Sequence, residues 1–176
     1  MRKHKILLTV ISVIVLSGII VTASAIVGGK KPDVTAGKTE NLISDRIAFS
    51  LENTEFTIKK ASEAPEDYTL TLFLKAKKTQ GDYYAVLEEF SLSGIAFDNM
   101  VFTDLTGKAE DKAINSLTLT ATDGEPDLFS WQIDLNLSIA GKGTYKATAE
   151  LTYTSGTSES SAMTKTAEIP VTITVI

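Results

Sequence analysis

Apolar and polar residues alternate with a period of two along much of this chain. The run from Phe129 to Ile139 shows the pattern most clearly, with Trp131 among its apolar members. Because successive side chains of a strand point to opposite faces, such a run predicts a strand with one dry face and one wet face, and Trp131 is expected in the core. Similar apolar sets are Ile47, Phe49 and Leu51; Phe56 and Ile58; Tyr68, Leu70, Leu72, Leu74 and Ala76; Leu117, Leu119 and Ala121; Tyr145, Ala147, Ala149, Leu151 and Tyr153; and Ile169, Val171, Ile173 and Val175.

Turn-forming residues separate these runs. The break at Gly141-Lys142-Gly143 is short enough for a β-hairpin. Pro170 lies inside the last run and predicts a sheet edge or a bulge, because proline cannot donate to a ladder. Residues 83–99 are ambiguous, since Glu88 interrupts the alternation there. A short helix over residues 83–90 is one interpretation; we favour a strand with a bulge near Glu88.

Eight or nine short strands with no helix among them predict an all-β domain over residues 46–176, built as a two-sheet antiparallel β-sandwich. Residues 28–45 contain Gly, Pro, Lys and Thr without apolar periodicity, which is typical of a flexible tether. The alternation is absent from residues 1–27, where an uncharged apolar segment predicts an N-terminal helix ahead of the sandwich.

The segment over residues 1–27 fits two export devices. Its basic start, its apolar middle and the Ala23-Ser24-Ala25 pattern are those of a cleavable signal peptide. Residues 6–27 are also long enough to remain as a membrane-spanning signal anchor. In both interpretations the basic start stays in the cytoplasm. The domain is then on the extracellular side of the cytoplasmic membrane, secreted after cleavage near Ala25 or anchored in the membrane by residues 6–27.

The last two predicted strands resemble those of bacterial extracellular immunoglobulin-like modules. Residues 143–149 (GTYKATA) are similar to the penultimate strand of that family, in which a G-x-Y start leads into alternating small and apolar residues. Residues 170–175 (PVTITV) are similar to its final strand. The resemblance covers about 35 residues at the C-terminal end. It implies an immunoglobulin-like sandwich in an extracellular setting, and it implies no activity.

Charge and composition narrow the classes of function. The formal net charge is −5, and subtracting the three leader charges of Arg2, Lys3 and Lys5 leaves −8 for the chain from Ile26 onward. An acidic body of this kind does not favour nucleic acid, which needs a basic patch. The exported part has no cysteine, and the one histidine, His4, lies in the leader. Histidine-dependent nucleophilic catalysis and histidine-ligated metal catalysis are therefore excluded, and we expect no enzyme and no organic cofactor.

Calcium is the metal that the remaining residue types could hold. Asp123, Glu125 and Asp127 lie in a predicted loop between strands. Hard cations take several oxygen ligands from one turn, so these three carboxylates are a candidate calcium site. Acidic residues are also ordinary turn formers, and the alternative is a loop without a ligand.

Two adjacent aromatics suggest a different ligand. Tyr83 and Tyr84 follow a Gly-Asp turn near the expected rim of the sandwich. Aromatic rings at such a place can stack on the faces of sugars. They are therefore the candidate platform for a glycan.

Two hypotheses of function follow. The first is a non-enzymatic exported or membrane-anchored surface module that contacts a protein partner at the cell surface through its sheet edges and loops, or serves as an accessory of a larger assembly. The alternative is an extracellular carbohydrate-binding domain, with hydrolysis by paired carboxylates as its less favoured form. The carbohydrate hypothesis requires exposed aromatics, and the first does not.

Overall fold

The chain folds into β-strands throughout the residues that the computed structural model describes, which are 34–43, 47–79, 84–107, 117–119 and 128–176. The strands are β1 (Val34–Ile43), β2 (Ile47–Ile58), β3 (Glu66–Lys78), β4 (Tyr84–Ser93), β5 (Asn99–Asp104), β6 (Leu117–Thr118), β7 (Leu128–Ile139), β8 (Gly143–Gly156) and β9 (Met163–Val175). A single 3₁₀ turn, Glu159–Ser161, joins β8 to β9. The prediction of an all-β domain is confirmed.

The predicted N-terminal helix lies outside the described residues. Within them, no helix has the length and apolar character needed to span a membrane.

The strands form one hydrogen-bonded sheet in the order β5-β7-β3-β2-β9-β8-β4-β6, with β1 paired to β2. The sheet turns at β2, whose first half pairs antiparallel with β3 through Ile47–Glu52 and whose second half pairs parallel with β9 through Glu55–Ile58. Between the halves Asn53 has a φ of 65°, and its Nδ2 donates to the backbone oxygen of Thr71 at 3.0 Å. The prediction of two separate sheets therefore needs correction, because β2 belongs to both layers and joins them.

One hydrophobic core fills the space between the two halves of this sheet. The predicted inward residues of β2, β3 and β7 meet those of β4, β8 and β9 in a single buried cluster. The Phe49 and Tyr153 rings lie 5.2 Å apart across it, and Phe90 and Phe102 join the two halves at 6.0 Å. Trp131 has no exposed surface, which confirms its predicted place in the core. The alternating pattern therefore predicted correctly which face of β2, β3, β7, β8 and β9 is dry.

The strand order is that of an immunoglobulin-like sandwich. One half has the order β2-β3-β7-β5 and the other has β4-β8-β9, which correspond to the two sheets of the constant-type immunoglobulin domain. Tyr145, near the start of β8, donates its hydroxyl to the backbone oxygen of Gly141 at 2.8 Å. A tyrosine in this place that bonds back to the preceding corner is a recurrent feature of the fold. The resemblance based on residues 143–149 and 170–175 is thus supported at the level of fold class.

The predicted hairpin at Gly141-Lys142-Gly143 is wrong. β7 pairs with β3 and β5, whereas β8 pairs with β4 and β9, so the short connection carries the chain from one half to the other. Loop length permitted a hairpin, but the corner bond of Tyr145 stabilises a crossing instead. Pro170 lies opposite Thr148, two residues before the ladder between β2 and β9 begins at Thr172. On the side of β9 that faces β2, the backbone at Pro170 is therefore outside the ladder, as the predicted sheet edge requires.

The interpretation as a bulged strand is confirmed for Tyr84–Ser93, which form β4, whereas residues 94–98 connect β4 to β5 and Tyr83 lies outside the described residues. The register between β4 and β8 shifts between Leu87 and Glu89, so Glu88 is the extra residue of a bulge. The shift explains why the alternation failed at this position.

Residues 34–43 are a strand and not part of a flexible tether. β1 pairs with both halves of β2, and its own irregularity between Gly37 and Thr39 faces the break in β2. Its polar sequence gave no alternating signal because β1 is an edge strand, held by backbone pairing with only Val34, Ala36 and Leu42 packed against the core. The folded domain therefore begins by Val34, and residues 28–33, 44 and 45 of the predicted tether lie outside the described residues.

Candidate functional site

Most of the predicted site residues fall outside the described part of the chain. Tyr83, Asp123, Glu125 and Asp127 are among the undescribed residues, so the calcium site and the paired-tyrosine platform stay predictions. Tyr84 begins β4, where it pairs with Gly156, and its ring is half-buried. A half-buried ring offers only part of its face for stacking.

The strands that flank these residues begin at the same end of the sandwich. β3 finishes there at Lys78 beside the start of β7, and β8 finishes there opposite the start of β4. We call this the Leu128 end, defined by Leu128, Tyr84 and Gly156. The strands that follow the two predicted ligand-binding segments, β4 after Tyr83 and β7 after Asp127, therefore both begin at this end of the fold. In the described ranges no group of three or more acidic or histidine side chains is arranged to hold a metal.

A shallow trough lies on the outer face of the sheet at the Leu128 end. Two cross-strand rows form it, the first running from β1 through β2 and β3 to β7 as Ile43, Ala48, Lys77 and Leu128. The second row is Asn41, Ser50 and Lys75. The trough has a volume of about 410 Å³.

Small residues form the floor of the trough and larger ones its walls. The small side chains of Ala48 and Ser50 leave a depression over β2, between Ile43 on β1 and the lysines of β3. Ile43 is 79% exposed and Leu128 43% exposed, and they lie at the two ends of the first row, with β2 and β3 between them. The walls are thus apolar at both outer margins of the site.

The charges around the trough are arranged unevenly. Lys75 forms an ion pair with Glu52, which lies next in line beyond Ser50 on β2. This pair closes the inner end of the trough. The ammonium of Lys77 is exposed at the other end and has no acceptor among the described residues. Within the described ranges, one positive charge without an ion-pair partner therefore stands at the mouth.

An aromatic residue that the sequence analysis did not single out lies farther along the same outer face. Phe73 is half-buried on the outer face of β3, between Glu52 of β2 and Gln132 of β7. The nearby Asp134 carboxylate accepts hydrogen bonds from Thr71 Oγ1 at 2.6 Å and from Gln132 Nε2 at 2.8 Å. An apolar ring beside fixed planar polar groups can bind a sugar face. The sequence did contain a signal, since Phe73 is an aromatic at a wet-face position of its strand.

The opposite end of the sandwich has a loop ordered by two charged side chains. Lys60 is buried, and its ammonium donates to the backbone oxygens of Ser62, at 2.6 Å, and of Ala64. The Glu66 carboxylate accepts from the Tyr68 hydroxyl and from both the backbone nitrogen and the hydroxyl of Ser62. These hydrogen bonds, led by that of Tyr68, lower the pKa of Glu66 to about 2. Both charged groups have hydrogen-bond partners within this region, which is consistent with a structural role.

Comparison with known proteins gives no family for this chain. No protein-family model matches it, and no curated protein matches it. Among solved structures it is similar to the CooA pilin subunit from enterotoxigenic Escherichia coli, at 12% identity over 78% of this chain and 98% of that one, with a TM-score of 0.36. It is also similar to an ASH/PapD-like domain of human CEP192, at 14% identity over 89% of this chain and 96% of that one, with a TM-score of 0.32. At these scores, the fold assignment rests on the strand order and the Tyr145 corner.

Proposed function

We propose that this protein is a non-enzymatic module, exported or membrane-anchored by its leader, that contacts a protein partner through the outer face at the Leu128 end. The observation that carries the proposal is the exposure of Ile43 and Leu128 on either side of a trough floored by Ala48 and Ser50. Apolar residues exposed together on a wet sheet face are typical of contact surfaces. The basic, apolar leader supports a setting outside the cytoplasmic membrane.

Site-directed photocrosslinking in the host tests this proposal. A photoreactive phenylalanine analogue at Ile43 is expected to give a discrete adduct with an envelope protein. The same group at Thr166, which is exposed on the outer face of β9, is the matched control and is expected to give none. Equal adducts at both positions, or none at Ile43, would remove the trough as the contact surface.

Binding of a glycan is the second candidate function, and Phe73 is the observation that favours it. Its half-buried ring lies on the outer face beside the hydrogen-bonded side chains of Gln132 and Asp134. On a glycan array, binding that disappears in Phe73→Ala but remains in Tyr84→Ala would support a site on this face. Binding lost only in Tyr84→Ala would return the platform to the position that the sequence suggested.

Calcium at Asp123, Glu125 and Asp127 stays part of the proposal as a stabilising ion and not as a catalyst. The full chain is expected to melt at a higher temperature with calcium than with a chelator. Identical midpoints would remove the ion.

A further inference from the structure

The trough at the Leu128 end is shaped for one large side chain. Neighbouring strands lie about 4.8 Å apart, so the walls on β1 and β3 are separated by about 10 Å across β2. The floor extends over Ala48 and Ser50, about 7 Å along the strand, and ends at the Lys75–Glu52 ion pair. Interfaces are commonly anchored by an aromatic or aliphatic side chain seated in a recess of this kind.

The positive charge of Lys77 at the open end of the trough favours particular residues beside the anchoring side chain of the partner. Lys75 is already neutralised by Glu52, whereas Lys77 has no acceptor in the described part of the chain. A carboxylate next to the anchoring side chain would complete the pairing of Lys77. A basic partner segment would instead meet an uncompensated like charge, which disfavours it.

We propose that the trough binds an acidic segment of a partner protein, with one large apolar side chain over Ala48 and Ser50 and a carboxylate at Lys77. This inference rests on the proposed function and adds the chemistry of the partner. A fatty-acid anion has the same charge, but a floor about 7 Å long that is closed by an ion pair is too short for its chain. A second copy of this chain is the other occupant that the test distinguishes.

Peptide titration followed by NMR tests the inference on the ¹⁵N-labelled full chain in detergent micelles. The probe is acetyl-Asp-Glu-Phe-Asp-Glu-amide, and its controls replace Phe with Ala or all four acids with Lys. The probe is expected to shift the amide signals of residues 48–50 and 75–77 in a saturable way at millimolar concentration. Each control peptide is expected to bind at least about fivefold more weakly, since each lacks one of the two recognised groups.

Protein variants provide the second arm. Lys77→Glu is expected to weaken binding of the probe by about fivefold or more, while Lys142→Glu, the same change in an exposed turn at the opposite end, leaves it unchanged. Ala48→Phe fills the floor from the outer face and is expected to abolish the shifts while the thermal midpoint stays near that of the parent. If Ala48→Phe lowers the thermal midpoint strongly, Ser50→Leu is used in its place to fill the floor. The comparison of Lys77→Glu with Lys142→Glu tests the role of charge and needs neither floor variant.

Several results would overturn the inference. These are the absence of shifts at 5 mM probe (about the weakest affinity that an anchored contact would give), equal binding of the Ala peptide, and equal effects of the two lysine variants. Saturable binding of dodecanoate at residues 48–50 without binding of the probe would assign the trough to an anionic amphiphile. Self-association that Ala48→Phe abolishes would assign it to a second copy. Crosslinking at Ile43 that persists while the peptides fail would keep the proposed function and reject only the acidic partner.

Discussion

Side-chain hydrogen bonds determine the local order of this fold at two places. Glu66 is held by Tyr68 and Ser62 in the loop after β2, and Tyr145 is bonded to Gly141 at the corner before β8. The first contact involves a charged acceptor at the surface, and the second involves a neutral donor on a half-buried ring. The two therefore respond to different experiments.

Acid is expected to weaken the Glu66 loop. The pKa of this carboxyl falls from 4.5 to about 2 on folding, chiefly because the Tyr68 hydroxyl donates to the ionised form. The ionised carboxylate therefore stabilises the folded state above pH 4.5, and this contribution is lost as the pH falls from 4.5 to about 2. In Tyr68→Phe the pKa of Glu66 should rise toward 4.5, as read from the carboxyl carbon shift in an NMR titration. Tyr84→Phe is the control, and an equal change there would contradict the assignment.

Removal of the corner hydroxyl should destabilise the domain measurably. Tyr145→Phe loses the bond to Gly141, and the free energy of unfolding in urea should fall by about 1 kcal/mol. Tyr153→Phe is the matched control, because the hydroxyl of Tyr153 has no hydrogen-bond partner in the described structure. Its expected loss is close to zero. Equal losses in the two variants would mean that the corner bond contributes nothing specific.

The strand β2 connects the two layers of the fold. Its two halves belong to different layers, and the break at Asn53 allows the change of partner. A left-handed backbone costs an ordinary residue about 1–2 kcal/mol, and asparagine tolerates it better than most. The side-chain bond from Asn53 to Thr71 fixes the break against β3.

Two substitutions at Asn53 should separate the backbone effect from the hydrogen bond. Asn53→Gly keeps the left-handed conformation accessible and loses only the bond to Thr71, so we expect a loss of about 1 kcal/mol in the free energy of unfolding. Asn53→Ala also carries the backbone strain and should lose about 2–3 kcal/mol. Urea denaturation measures both. If glycine and alanine were equivalent, the positive φ would not be the source of the break.

At the scale of the whole molecule, one core serves both layers. The ring contact between Phe49 of β2 and Tyr153 of β8 crosses the middle of that core. A sandwich joined through a shared strand and a shared core is expected to unfold as one cooperative unit.

Truncation of Phe49 tests this cooperativity. Phe49→Ala should lower the free energy of unfolding by about 3–5 kcal/mol, because it removes a fully buried ring. In native-state hydrogen exchange, protection should fall by the same factor at Leu72 in β3 and at Ala149 in β8. Loss of protection in one half alone would show that the two layers unfold separately.

The sequence by itself determined which face of the alternating strands is buried, because that information is local. A period of two placed Trp131, Leu72 and Ile173 in the core, and the failed alternation at Glu88 correctly indicated a bulge. It also suggested the fold class through Tyr145, whose corner bond the structure contains. Of the candidate site only Tyr84 falls in the described residues, and its half-buried ring was not evident from its position beside a turn.

Only the tertiary structure decided how the strands pair. The polar edge strand β1, the crossing at Gly141 and the double membership of β2 depend on partners that are distant along the chain. The trough has the same origin, since Ile43, Ala48, Lys77 and Leu128 become neighbours through three separate ladders. The period of two in the sequence indicates whether a side chain faces water or the core. Which strands pair with each other depends on the free energy of the whole set of strands. No local motif could have placed those four residues together.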